Sequence, residues 1–386
     1  MKRYDVILAG GGASGLSLAL ELCRSPLRGQ SILIVDREEK KHNDRTWCFW
    51  TRTPEQFSGL AHRTWNRLRF SSPGFEACFS LEPYDYQMVR GSDYYAYAKE
   101  TLAACPGVAF LTAPVERIED GPEHASVFTP GAEHQATWVF NSLYSLQTFH
   151  PDTRRFHYLK QHFLGWLIET AYDVFDPGVP VLFDFRTPQL GAMRFFYVLP
   201  FSSRRALVEY TLFSPAVLPE AEYRLALQEY CQRILGAGRF TLLDEERGVI
   251  PMTDQPLARR TGRRIVHIGT LGGRVKPSSG YAFLRIQHDS QAITRSLVEH
   301  GVPYFFPHTP ARYARYDALM LDVMQHSGDA MQLIFTHLFR RNPIQRIFRF
   351  LDEESSFAED LRLIASLPPL PFLQAWLRTK WLRREN

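Results

Sequence analysis

Gly10, Gly12 and Gly15 stand at the spacing G-x-G-x-x-G, and Asp36 follows 21 positions after the last of them. Those residue types at that spacing could hold a dinucleotide. Gly10 permits a tight turn, Gly12 lets the backbone come close to a pyrophosphate, and Gly15 lets a helix pack closely on a strand. The free N–H groups around Ser14, where a helix would begin, and the positive end of its dipole would meet the phosphates. Asp36 would accept hydrogen bonds from a ribose hydroxyl and repel a 2′-phosphate, which disfavours NADP despite Arg37 beside it. A second glycine-rich run, 268–281, carries Gly269, Thr270, Gly272 and Gly280 far downstream.

The elements that must position these loops surround them. Residues 4–9 form an apolar run suited to a buried parallel strand, 16–22 read as helix, and 31–35 form a second strand ending at Asp36. This is a βαβ unit. Residues 264–268 read as a return strand, and a helix is expected from about Phe283 to Gly301. A late strand–loop–helix of this kind resembles the distal FAD motif of glutathione-reductase-like flavoproteins, which favours FAD over NAD. That motif usually has Gly-Asp where this chain has Gly269-Thr270. An uncharged hydroxyl therefore replaces the acid that normally holds a ribityl hydroxyl.

Residues 51–250 alternate short β-like runs with turns, interrupted by helical patterns at 92–104 and 219–235. From 311 onward the pattern is helical, broken at Pro343 and at 368–371. The expected fold is α/β: a Rossmann-type, glutathione-reductase-like FAD-binding domain over 1–80 and 245–310, with an inserted mixed-sheet substrate domain over 81–244. Part of 100–145 would return to the first domain, and 311–386 would form a helical C-terminal region.

Composition sets the outer bounds. The chain's 386 residues, 45% apolar and 22% charged, suit a folded protein of two or three domain-sized units. Lys plus Arg number 45 against 41 Asp plus Glu, a net charge of +4 that gives no reason to expect nucleic acid. The five cysteines are scattered with no CxxC pair, so neither a zinc site nor a disulfide framework is expected. No run of about 18 apolar residues occurs and residues 1–10 read as a strand, so a cytoplasmic chain without a signal peptide or membrane-spanning helix is expected. Aromatic residues are abundant at 13%, enough to line a large apolar cavity.

Several stretches narrow the field. Residues 43–50 read NDRTWCFW, 83–90 PYDYQMVR and 161–166 QHFLGW, followed by YVLP at 197–200, ALVEYT at 206–211 and GVIPM at 248–252. In this order between the two glycine loops, they strongly resemble the bacterial lycopene cyclase family of carotenoid biosynthesis, over nearly the whole chain. The resemblance implies a flavoprotein that converts the linear ψ-ends of lycopene into β-rings with no net redox change. Protonation at C2 lets the C5=C6 bond attack C1, and the resulting C5 cation loses a proton from C6. Reduced FAD is needed but not consumed, its reductant being NADPH or a quinol pool upstream.

The resemblance also assigns candidate residues. Glu209 matches the acid tied to activity, the first of two adjacent acids in the family; the second is Tyr210 here. Alternation places Leu207, Glu209 and Thr211 on one strand face, which points Glu209 inward. Asp184, between Phe183 and Phe185, is a secondary acid candidate. Arg45 lies where the family has a basic residue near the cofactor, and would contact phosphate or pair with Asp44. Trp47, Phe49 and Trp50 would line a polyene channel or pack the core, and His162 reads as structural. The substrate would come from the bilayer. Two arginine- and aromatic-rich segments, 339–350 and 372–384, suit either a membrane surface or a helix docked on its own domain. The competing reading is an FAD-dependent monooxygenase or a prenyl or polyene reductase acting on a membrane lipid. Asn141-Ser142, where hydroxylases of this superfamily carry Asp-Gly, weighs against it.

Overall fold

A computed structural model describes residues 2–53, 57, 59–306 and 309–382. Its first sheet is built around Lys2–Ala9, which pairs in parallel with Ile32–Asp36 on one side and Ala132–Asn141 on the other. Val6, Ile7, Leu8 and Ala9 are wholly buried, which is why this strand is a continuous apolar run rather than an alternating one. Val108–Thr112 extends the sheet beyond Ile32–Asp36, and Ile265–His267 and Arg260–Thr261 extend it beyond Ala132–Asn141. The helices Ala13–Arg24, Gly91–Ala103 and Phe283–His300 pack into one core with these strands. Gly301 ends the last of them in the left-handed conformation (φ +70°), as a glycine cap does.

A seven-stranded sheet runs in the order Phe240–Thr253, Tyr158–Thr170, Arg205–Ser214, Met193–Pro200, Val181–Asp184, Arg67–Ser72 and Phe75–Ser80. A three-stranded sheet of Thr46–Thr51, Asp85–Arg90 and Arg63–Trp65 accompanies it. Strands 67–80 and 240–253 thus belong to the seven-stranded sheet, whereas the sequence boundaries at 80 and 245 placed most of them with the first domain. Helix Gly91–Ala103, expected in the insertion, packs in the first core through Tyr94, Tyr95 and Leu102. Arg117–Glu119, Ala125–Thr129 and Ala132–Asn141 join the first sheet.

One face of the seven-stranded sheet carries Leu207 and Phe213 and packs against the C-terminal helices. The other carries Val208, Tyr210 and Leu212 and packs against Tyr223 and Leu227 of helix Glu220–Glu229. The C-terminal helices are Ala311–His326, Ala330–Arg341, Ile344–Leu351, Phe357–Ala365 and Pro369–Leu382. Segment 339–350 is docked on the protein itself: Phe339, Ile344, Ile347 and Phe348 are buried, and Arg349 pairs with Glu359. Of the two arrangements its aromatic and basic pattern suits, these residues show an amphipathic helix seated on its own core.

The last helix is tied down by a charge cluster. His157 bonds Asp254 through Nδ1 (3.1 Å) and Asp322 through Nε2 (3.2 Å), and Asp322 accepts from Arg378 Nε (2.8 Å). Burial alone would lower the pKa of His157, but the two carboxylates outweigh it and raise it to about 9. Stabilisation by a raised histidine is complete below its unfolded value and fades as pH rises through the folded one. The wild type should therefore lose on the order of 3 kcal/mol relative to His157→Gln between about pH 6.5 and 9.5. Parallel thermal unfolding curves across that range would sink the assignment.

Candidate active site and cofactor cradle

The first strand turns at Gly10, whose φ of +109° is open chiefly to glycine and whose Cβ would fall on Ser142 Oγ. A Cβ at Gly15 would strike the Gly10 carbonyl oxygen, so close helix–strand packing requires glycine there. Gly12 differs: no atom lies within 4 Å of the place a Cβ would take, leaving its backbone approachable from outside. The Gly11 N–H donates to Asp36 Oδ2 (2.7 Å) and that of Glu38 to Oδ1 (3.1 Å), fixing the half-buried carboxylate at the end of its strand.

The two glycine loops meet. Gly269 (φ +61°) abuts the buried Ser14, where a Cβ would overlap Ser14 Oγ. Half-buried Thr270 follows, its carbonyl accepting the Gly273 N–H (3.1 Å). Gly272 faces the His267 carbonyl and Arg259, so it closes the loop on itself. Gly280 faces Gln161 Oε1 across to the seven-stranded sheet. Gln161 Oε1 and Ser279 Oγ are buried with no partner among the described residues, two polar atoms that a group bound along the second loop would satisfy. Asp44 is held by the Tyr95 hydroxyl (2.9 Å) and stands 4.0 Å from Lys40, while Arg45 is exposed. An open backbone at Gly12, an anchored Asp36 and these two atoms fit a dinucleotide cofactor.

Glu209 lies on the face of the seven-stranded sheet that looks toward the C-terminal helices. In register across four strands stand Glu246, Gly165, Glu209 and Tyr197. Gly165 is the reason the carboxyls can meet over the intervening strand: a Cβ there would sit 3.1 Å from Glu246 Cγ and 3.2 Å from Leu207 Cδ1. Thr211 Oγ1 donates to Glu209 Oε1 (2.6 Å) and Thr46 Oγ1 to Glu246 Oε2 (2.7 Å). Burial pushes the Glu209 carboxyl up to about 8, helped by the charge of Glu246 and opposed by the Thr211 hydrogen bond. Glu246 is also raised, first by burial, with the Thr46 hydrogen bond opposing. At neutral pH Glu209 therefore carries a proton while facing its partner. Sequence reading missed Glu246.

Tyr197, next to Glu209, also lines an apolar cavity between sheet and helices. Its walls include Phe183, Phe213, Tyr281 and Phe339, with Lys276 and Ser278 where the second loop reaches it. It extends to Ile364, Leu367 and Phe372 near the last two helices.

The remaining candidates separate cleanly. Asp184 pairs in register with Phe196, on the sheet's opposite face, and is held by Arg186 (2.6 Å) and Tyr230 (2.7 Å). It is a buried structural ion pair, which corrects its secondary candidacy as the acid. His162 is buried between Tyr223 and Ser214, and burial lowers it to about 4, so it is a neutral structural histidine as expected. Trp47 and Phe49 stack on Phe283 in the first core rather than lining a channel. Trp50 stacks on Phe348 (4.4 Å), meets Tyr281 edge-on (4.7 Å) and donates to Asp352, directly behind the cavity wall.

A family model described as lycopene cyclase protein matches residues 5–377. No curated protein matches the chain. Among solved structures, a flavoprotein/dehydrogenase from Cytophaga hutchinsonii superposes with a TM-score of 0.65 at 12% identity, covering 100% of each chain. A geranylgeranyl bacteriochlorophyll reductase-like protein from Thermoplasma acidophilum gives 0.62 at 12% identity over 97% of this chain and 98% of the other. The p-nitrophenol 4-monooxygenase PnpA from Pseudomonas putida gives 0.56 at 16% identity, covering 99% of each. These likenesses establish the fold, a Rossmann-type flavoprotein architecture carrying a mixed sheet and a helical C-terminal region.

Proposed function

The chain belongs to the lycopene cyclase family, and from that premise we propose that it is a lycopene β-cyclase, an isomerase that closes ψ-end groups into β-rings. The observation that carries the reading is a carboxyl, Glu209, set in register beside Tyr197 of an aromatic-walled apolar cavity, with burial favouring its protonated form. Glu209 gives its proton to C2 of the end group. The C5=C6 pair then attacks C1, and the C5 cation is discharged when the C6 proton leaves to a carboxylate. Atoms and electrons balance, so product and substrate are isomers. Tyr197, Tyr281 and Phe183 line the cavity, and aromatic rings stabilise a cation in a setting of low dielectric.

FAD in its reduced form is the proposed cofactor, supported by the flavoprotein likeness and by the two convergent loops. When bound, it supplies negative charge that stabilises cationic intermediates. Gly10, Gly12, Ser14 and Gly15 would hold its phosphates and Asp36 its ribose. Gly269, Thr270 and Gly280 would line its path toward the seven-stranded sheet, and exposed Arg45 would meet a phosphate; Gly272 closes the second loop on itself. The test is expression in a bacterium that accumulates lycopene, with pigments separated by chromatography. Conversion to γ-carotene or β-carotene is expected, and unchanged lycopene from flavin-loaded protein would refute the reading.

The proposed source of substrate is the bilayer, with the protein peripheral on the cytoplasmic face. No helix among the described residues is long and apolar enough to cross a membrane. Phe357 and Leu361 on one helix and Leu370, Leu373 and Leu377 on the last are exposed, alongside Leu367 and Phe372 that reach the cavity. Of the segment 372–384, residues 383 and 384 lie outside the described residues, as do the side chains of 380–382. Leu373→Asp with Leu377→Asp should weaken flotation with anionic vesicles by about tenfold or more, at roughly 1 kcal/mol or more per leucine. Thermal unfolding should not change, and unaltered flotation would remove this surface from the account.

A further inference from the structure

Glu246 is the unassigned group at this site. It stands on Phe240–Thr253, two strands from Glu209, with only the bare backbone of Gly165 between them. The groups acting on the two carboxyls come from every neighbouring element. Thr46 and Cys48 approach from Thr46–Thr51 and Tyr197 from the strand beside Glu209. Tyr281 faces them from the second loop, and Asp244 from the strand of Glu246 itself. Tyr86, from Asp85–Arg90, reaches them through its contact with Cys48. Burial keeps Cys48, Tyr86, Tyr197 and Tyr281 in their neutral forms. Among the described residues no cation figures in the balance at either carboxyl.

Two half-buried carboxyls set this close, without a counter-cation, cannot both ionise cheaply, so a single shared proton is the stable loading. Glu246 is held by the Thr46 hydroxyl three strands from the cavity-lining Tyr197, whereas Glu209 stands in register on the strand next to it. The proton is thus stored where the substrate can take it.

We propose that Glu246 is a positioning residue of the cyclase: its carboxylate, meeting Glu209 over Gly165, keeps Glu209 loaded as the acid and then makes it the base. This rests on the cyclase reading above. When Glu209 gives its proton to C2, both carboxyls are briefly anionic, adding negative charge opposite the C5 cation. Their mutual repulsion then draws the C6 proton onto Glu209 and restores the pair. The cycle uses no proton overall, as an isomerisation demands.

The test is the pH profile of cyclisation by the flavin-loaded full chain with lycopene in detergent micelles. In wild type the rate falls on the alkaline side as Glu209 loses its proton. Glu246→Gln removes the neighbouring charge, so that limb should move about one pH unit or more toward acid. Glu246→Asp should restore part of the shift. A residue of merely structural weight would lower the rate at every pH and leave the limb in place, and that result overturns the proposal. An infrared titration of the protonated-carboxyl C=O band, with no substrate present, separates this inference from the reading it rests on. Should the band persist to higher pH in wild type than in Glu246→Gln while no lycopene is cyclised, the proton-sharing pair stands and the cyclase reading fails. Should the band titrate identically in both proteins, the pair itself is refuted.

Discussion

Glu209→Gln leaves lycopene uncyclised, with a rate at least about 10²- to 10⁴-fold below wild type, the range over which a positioned general acid acts. The substitution keeps the shape and the Oε1 acceptor of the Thr211 hydrogen bond, so the strand and its register should persist. It removes the one feature the reaction needs, an acidic proton on the carboxyl beside the cavity-lining Tyr197. Among the described residues, Glu246 is the acid that stands beside Glu209 in register. It is held by Thr46 three strands from the cavity-lining Tyr197, so it cannot replace Glu209 by a small movement. The measurement is product formed per flavin-loaded protein at pH 6 to 7, with thermal unfolding as the control for folding. Wild-type turnover by the variant would move the proton donor elsewhere.

The second large effect concerns the cofactor. Gly12→Val should fold as the wild type does, because the backbone is extended there (φ −82°, ψ −171°) and nothing lies within 4 Å of the added carbon. The space it fills is where the backbone would meet a diphosphate. A steric conflict of about 3 kcal/mol weakens binding roughly hundredfold, so the purified variant should carry almost no flavin. Gly15→Ala makes the contrast. Its Cβ falls on a backbone carbonyl that cannot move aside, so it should damage the fold together with flavin binding. Flavin absorbance per protein and unfolding temperature distinguish the two. A Gly12→Val protein with a full complement of flavin would place the cofactor outside this loop.

What could be read in the sequence follows the range of the interactions. The βαβ unit and both glycine loops are local, each written within some thirty residues, and the turn at Gly10 and the cap at Gly301 stand where the types require them. The inward face of Glu209 follows from alternation alone. Glu246 does not, because its partnership depends on the register of 240–253 against 158–170 and of 158–170 against 205–214. Gly165, a bare position in the middle of a long strand, was the available signal. Asp184 shows the converse problem: an acid between phenylalanines reads alike whether it faces a cavity or Arg186 and Tyr230. Segment 339–350 was ambiguous for the same reason, since its apolar face suits a bilayer or its own core equally. Strands 67–80 joined the second sheet through parallel pairing of Arg67–Ser72 with Val181–Asp184, more than a hundred residues away.

In the proposed reaction a proton from a solvent-exchangeable acid opens the cyclisation, and no redox change accompanies it. A single turnover in D2O tests this most directly, with reduced, flavin-loaded protein in excess over lycopene and the product analysed by mass spectrometry. Cyclised product should carry one deuterium for each ring formed, at C2 of the original end group, with the flavin still reduced at the end. Product without deuterium, or flavin oxidised in proportion to product, would contradict it.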